Sequence, residues 1–233
     1  MKFYKENLRE VYGRTLVELG DKDKRVVVLD ADLNTSTRTV LFKEKYPDRF
    51  VQCGIAEANM FGVAAGLAKM GFVPFPSTFA AFAARKALDQ VYLNICCSNL
   101  NVKIPGSYPG MTATECGASH NVAEDIAIMR TMPNMRVADP GEPHELRSMM
   151  HKIVEQEGPV YFRVPKFRPP VLFDPSYQFE WGKGVVLKSG KDVTLLGTGM
   201  ITAVCVKAAE LLARDGVDAE VIHMPSIKPI DAE

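Results

Sequence analysis

Residues 49–71, RFVQCGIAEANMFGVAAGLAKMG, decide how the rest of the chain is read. RFVQC is a short apolar run with strand character. MFGVAAGLAKMG is rich in Ala, Gly and Met and stops at Gly71, a residue suited to ending a helix. Between them sits one acid, Glu57, among small and apolar neighbours. A carboxylate in the first turn of a helix is ordinarily explained by the positive end of the helix dipole. A strand–turn–helix setting leaves room for a second role, and the flanking sequence has to decide between them.

Outward from that stretch the chain alternates. On the N-terminal side, 4–19 repeats its apolar residues at helical spacing, RVVVLDAD (25–32) is a buried strand running into acids, and 37–47 is helical. On the C-terminal side, FVPFPSTF (72–79) is a strand and 80–97 a long apolar helix. NVKIPG (101–106) is the next strand, followed by a Gly-rich loop to His120 and a helix over 121–132. MRVADP, EPHELRSMMHKIVEQ and PVYFRVP then add strand, helix, strand. Strands alternating with helices in this way predict an α/β fold with a mainly parallel sheet covered on both faces.

The rhythm breaks where five of the fifteen prolines fall between Pro159 and Pro175. Proline density of that kind marks an extended linker. The expected division is a domain over 1–165, a linker over 166–190, and the start of a second, smaller α/β domain over 191–233. One β-α-β unit is too small to hold a core alone, so it is expected to lean on the first domain or a partner, or to be part of a longer domain. GTGM (197–200) has a strand before it and a helix after it. It lacks the third glycine of a dinucleotide fingerprint, because Thr202 stands there, and reads as a tight turn.

Composition excludes several classes. Lys plus Arg equals Asp plus Glu at 28 each, so there is no electrostatic footprint for nucleic acid or an anionic membrane. No apolar stretch approaches the length needed to span a bilayer. The N-terminal MKFYKENLREVYG has no signal-peptide pattern. The five cysteines show no CxxC or zinc spacing, and reduced thiols in a cytoplasmic protein are the expectation.

In an open parallel sheet, ligands sit outside the carboxyl ends of the strands. The loops at that edge carry DADLNTSTR, Glu57, STFAAF, His120 and Arg163. An acid, a histidine, arginines, hydroxyls and two phenylalanines gathered there would form a pocket for a flat ring beside a polar anion.

CGIAEANMFGVAAGLAKMG, PSTFAAFAARKALDQV, GASHNVAEDIAIMRTMPNMRV and PVYFRVP resemble the pyrimidine-binding domain of transketolase-like thiamine diphosphate enzymes. DVTLLGTGM together with AAELLARDGVDAEVIHMPSIKPID resembles the opening of their C-terminal domain. More narrowly, the chain resembles the second subunit of a split transketolase. The resemblance implies thiamine diphosphate with magnesium as cofactor, and transfer of a two-carbon ketol unit between sugar phosphates. It places Glu57 on the pyrimidine ring nitrogen, favouring the imino tautomer that acts as base; shielding from water suits that carboxylate to the task. It places Phe79 and Phe82 against the pyrimidine, with Phe79 the stacking partner, and His120 on the donor ketose, where it can assist proton transfer. Arg9, Ser36 and Arg163 fall at positions that hold the sugar phosphate, which a guanidinium grips through paired bonds.

Two positions depart from the family pattern. Tyr108 stands where a histidine is usual, and Cys116 where an aspartate reads the sugar's hydroxyl configuration; neither offers the expected group. The GDG…N motif for diphosphate and metal is absent from the sequence. The resemblance therefore implies a pyrophosphate-binding partner subunit, assembled as a heterotetramer. Two alternatives stand beside it. One is a β subunit of a 2-oxoacid dehydrogenase, or a deoxyxylulose phosphate synthase, which share the GIAE motif. The other is a non-catalytic assembly module.

Overall fold

The computed structural model of the chain describes residues 3–174 and 176–233. Met1 and Lys2 of the N-terminal reading, and Pro175 of the proline-rich stretch, lie outside the described residues. The first half runs α1 (Leu8–Lys22), β1 (Val26–Asp30), α2 (Asn34–Thr37), α3 (Val40–Lys45), β2 (Phe50–Gln52), α4 (Glu57–Lys69) and β3 (Val73–Phe79). After two π-helical segments, Phe82–Lys86 and Gln90–Cys96, come β4 (Lys103–Ser107), α5 (Asp125–Thr131), β5 (Arg136–Ala138), α6 (Pro143–Glu155) and β6 (Val160–Val164). The remainder is β7 (Val185–Lys188), β8 (Val193–Gly197), α7 (Ile201–Leu212), β9 (Ala219–His223) and β10 (Ser226–Lys228).

Seven strands form one sheet in the order β10-β5-β6-β4-β3-β1-β2, parallel throughout except for β10, which pairs antiparallel with β5. The expected fold class is therefore the observed one. Alternate residues of each strand feed two cores. Val27 and Leu29 pack with Met60 and Phe61 of α4 and Met129 of α5 on one face. Val26 and Val28 pack with Tyr12 of α1, Phe42 of α3 and Met149 of α6 on the other. Burial on both faces is why RVVVLDAD reads as an unbroken apolar run rather than an alternating one.

The second sheet has three strands, β7-β9-β8, with α7 packed on it. Two features differ from the sequence reading. VVLK, within the stretch read as linker, carries no proline and forms β7. SIK, to which the sequence reading assigns no element, adds β10 to the edge of the first sheet. The second unit thus leans on the first through a strand as well as through side chains. No helix among the described residues is long and apolar enough to cross a membrane.

Candidate active site

Glu57 is the first residue of α4 and is 2% exposed. The turn that delivers it is local. Gly54 takes a left-handed φ of 69°, a conformation costly for a residue with a Cβ. The Gln52 side-chain oxygen accepts from the Gly54 and Asp32 amides, both at 3.0 Å, tying this turn to the loop after β1. One carboxylate oxygen, Oε2, lies 2.5 Å from the Lys86 ammonium as an ion pair. That half-exposed ammonium is the only partner of Oε2 among the described residues, and it sits outside hydrogen-bonding alignment. Lys86 itself is half exposed and also lies over the Phe82 ring, 4.8 Å from its centroid. A buried acceptor without a hydrogen bond is unusual in a folded protein and marks a place where a ligand can bond.

The aromatic wall comes from the end of β3. Phe79 closes the strand, and Phe82 opens the first π segment three residues later. Their rings stack with centroids 5.6 Å apart and planes 10° from parallel. His120 meets both edge-on, at 5.8 Å and 5.0 Å. Its Nδ1 is held by the Ser119 hydroxyl at 2.8 Å, and its Nε2 has no hydrogen-bond partner among the described residues. The sequence reading brings these four residues together, and the structure links them in a chain of contacts: Glu57 to Lys86, Lys86 to Phe82, Phe82 to Phe79 and His120.

Tyr108 extends the wall. It follows β4 directly, adopts a left-handed φ of 53°, and packs on Phe79 at 4.5 Å between centroids. For a bulky residue that backbone conformation is a rarity that clusters at functional sites. Its hydroxyl accepts from Arg9 Nη1 at 2.6 Å, and the same nitrogen donates to the Ser36 carbonyl at 3.2 Å. Arg9 is thereby brought to the site from α1, and Ser36 from α2. The α2 loop is organised by Asp30, which accepts from the Leu33 amide and from the Thr37 and Thr39 hydroxyls. Burial pushes the Asp30 carboxyl above its ordinary range, and those three donors oppose the rise.

Arg163 occupies different surroundings from those the resemblance implied. Its Nε and Nη2 donate to Asp125 at 2.9 and 2.5 Å, and its Nη1 donates to Asp139 at 3.3 Å. Asp125 also takes a 2.6 Å bond from the Tyr161 hydroxyl. A guanidinium committed through three nitrogens to two buried acids anchors α5 to the sheet. Burial lifts the Asp139 carboxyl to about 6, with Arg163 pulling the other way. Cys116 is exposed on a short 3-10 turn. Among the described residues no three His, Cys, Asp or Glu side chains gather into a group able to hold a metal ion.

Three residues of this neighbourhood are not legible as such in the sequence. Lys86 lies four positions after Phe82, a spacing that shares a helix face and that could have flagged it. Tyr108 stands out only as a departure from the family pattern. Lys166, whose ammonium lies 5.9 Å from the Tyr108 ring centroid, is masked by the proline-rich stretch around it.

A buried acid, a stacked aromatic pair and a free imidazole nitrogen gather at the carboxyl edge of a parallel sheet, the edge where such sheets receive ligands. Residues 5–169 match the model for the transketolase pyrimidine binding domain, and residues 182–233 match the transketolase C-terminal domain. The chain is 44% identical to the 6-deoxy-6-sulfo-D-fructose transketolase subunit SqwH of Clostridium sp., over 97% of this chain and 70% of that protein. It is 34% identical to an apulose-4-phosphate transketolase subunit of Phocaeicola vulgatus, over 97% of this chain and 72% of that one. A solved structure described as a split gene transketolase, inactive beta4 tetramer, superposes with a TM-score of 0.88 at 46% identity, covering 96% of this chain and 73% of that one. The chain belongs to the transketolase family, and within it is similar to the pyrimidine-binding subunits of split enzymes. Membership implies dependence on thiamine diphosphate.

Proposed function

We propose that this chain is the pyrimidine-binding half of a thiamine diphosphate-dependent transketolase that moves a two-carbon ketol unit between sugars bearing a terminal anion. The observation that carries the reading is the Glu57 carboxylate: buried, beside a stacked Phe79–Phe82 wall, with one oxygen lacking a hydrogen bond. That geometry fits the pyrimidine end of the cofactor. When bound, thiamine diphosphate supplies the nucleophilic carbon that cleaves and carries the ketol unit. Glu57 holds a proton on the pyrimidine ring nitrogen, and Phe79 and Phe82 pack the ring and exclude water from it. His120 presents Nε2 to the ketose and moves a proton at its reacting hydroxyl, while Ser119 fixes the imidazole through Nδ1. Arg9 faces the far end of the sugar with Ser36 alongside. Two relatives whose names carry a 6-sulfo sugar and a 4-phosphate sugar support a substrate with a terminal oxyanion.

Among the described residues no three His, Cys, Asp or Glu side chains gather to hold a metal, and the sequence carries no GDG…N motif. We place the magnesium and diphosphate ligands on a separate pyrophosphate-binding subunit, in a cytoplasmic heterotetramer. Exposed Ile55 and Met111, flanking Glu57 and the His120 loop at 76% and 66% exposure, support a subunit boundary there. The domain boundary after residue 165 belongs to the same proposal, with the second unit already begun at β7 instead of at residue 191. The test is reconstitution. The isolated chain should transfer no ketol unit from xylulose 5-phosphate, and activity should appear on adding the partner subunit, thiamine diphosphate and magnesium. Turnover by the chain alone would contradict the split site. Turnover of pyruvate in place of the ketose phosphate would move the assignment to the oxo-acid branch.

A further inference from the structure

The Lys86 ammonium already holds two contacts that a bound pyrimidine takes in the proposed reaction. It lies 2.5 Å from Glu57 Oε2 and 4.8 Å from the centroid of the Phe82 ring, so it sits on both the buried carboxylate and the aromatic wall. A ring nitrogen that carries a proton is cationic, as is an ammonium. Two like charges brought against one carboxylate oxygen repel each other. Lys86 and the ring therefore compete for the same acid.

The surroundings give the ammonium a second station. Lys86 is the last residue of the first π segment, and π turns frequently sit at functional sites. Its side chain is 49% exposed and lines a cavity of about 570 Å3 together with Asp89. Asp89 is exposed, lies one turn further along the chain, and makes no ion pair among the described residues. Lysine carries its charge on a flexible four-carbon stem, so rotation about that stem takes the ammonium from Glu57 toward Asp89 through open space. Glu57 has no such freedom, being buried in the first turn of α4. We propose that Lys86 is an autoinhibitory cation, which occupies Glu57 in the unloaded chain and passes to Asp89 when the pyrimidine enters. This deepens the ketol-transfer reading and rests on it for the identity of the ring. The exchange keeps a buried carboxylate from standing without a countercharge before loading. It lowers cofactor affinity, because only the fraction of molecules with Lys86 withdrawn is competent to bind.

The test is a mutant cycle read by calorimetric titration of thiamine diphosphate into the complex assembled with the pyrophosphate-binding subunit and magnesium. Its members are wild type, Lys86→Met, Glu57→Gln and the double variant. Lys86→Met keeps most of the stem and removes the charge. It should bind the cofactor about fivefold more tightly than wild type, the scale of a half-exposed ion pair. In the Glu57→Gln background no carboxylate is left to compete for, and the same substitution should change affinity by less than about twofold. Lys86→Arg keeps a cation and should stay near wild type, while Asp89→Asn removes the second station and should weaken binding by about twofold. A lysine that only kept the π segment in shape would weaken binding when replaced, whichever residue stands at 57. Equal or weaker binding by Lys86→Met, or an equal gain in both backgrounds, would overturn the proposal and leave the cofactor reading standing on the wild-type titration. A wild-type complex with no saturable binding would remove the cofactor reading and the proposal with it.

Discussion

Glu57 and Glu145 are both buried acids in the first turn of a helix, at 2% and 0% exposure, and they are bonded in opposite ways. Glu145 is saturated. Its Oε1 accepts from the Tyr177 hydroxyl at 2.8 Å, and its Oε2 from the Gly141 amide at 2.7 Å and from His223 Nε2 at 2.9 Å. His223 in turn bonds the Thr202 hydroxyl through Nδ1 at 2.6 Å. Four segments, including α6 of the first unit and both α7 and β9 of the second, are clasped there, with each polar atom of that chain engaged. Glu57 has a single partner, the half-exposed Lys86 ammonium on Oε2, and no aligned hydrogen bond among the described residues. The lesson is that burial alone does not mark a functional acid; an unfilled bonding capacity does. A saturated acid holds a fold together, and an unsaturated one holds a ligand.

That contrast can be broken by mutation, beginning with the largest effect. Glu57→Gln should lower ketol transfer by the reconstituted enzyme about 1,000-fold, within the range for loss of a positioned acid–base group. Its thermal midpoint should stay near that of wild type. Near-wild-type rates would remove Glu57 from the mechanism. Glu145→Ala should do the reverse. Leaving His223, Tyr177 and the Gly141 amide without their acceptor should cost about 3 kcal/mol in denaturant melts, while the unfolding slope stays that of the whole chain. A loss near zero would mean the clasp contributes nothing.

An effect of similar size, confined to a pH window, concerns Asp139, whose carboxyl is lifted to about 6 by burial. Its folded value lies above its unfolded one, so the folded chain holds the extra proton between about pH 4 and 6. Stability contributed by that proton is complete below the unfolded value and falls as pH rises through 6, by about 3 kcal/mol in all. Asp139→Asn should flatten that part of the stability–pH curve; an unchanged slope would contradict the assignment.

The sheet was legible because its strands are continuous apolar runs between turn signals, and because both faces are covered. β10 was not, since Ser-Ile-Lys between two prolines has neither the length nor the pattern of a strand and owes its state to pairing with β5. Residues 80–97 read as one long helix, whereas the chain widens into two π segments with a break at Ala87. A π turn and an α turn bury nearly the same apolar residues, so composition does not separate them. Within the site, Glu57, Phe79, Phe82 and His120 could be placed from motifs. The Arg9–Tyr108 bond joins residues 99 positions apart, and the capture of Arg163 by Asp125 joins residues 38 apart. Neither distance leaves a trace in local spacing. Lys166 was hidden by the prolines around it, which signal extended chain and say nothing of where its cations point.

The contact between the cofactor and the buried Glu57 carboxylate is open to direct measurement. The most direct measurement is calorimetric titration of thiamine diphosphate into the complex assembled with the pyrophosphate-binding subunit and magnesium, comparing wild type with Glu57→Gln. The account predicts saturable binding by wild type and an affinity weakened by about tenfold or more in the variant, with Glu145→Gln close to wild type at a temperature where both are folded. Equal affinities for wild type and Glu57→Gln would show that the cofactor does not meet this carboxylate.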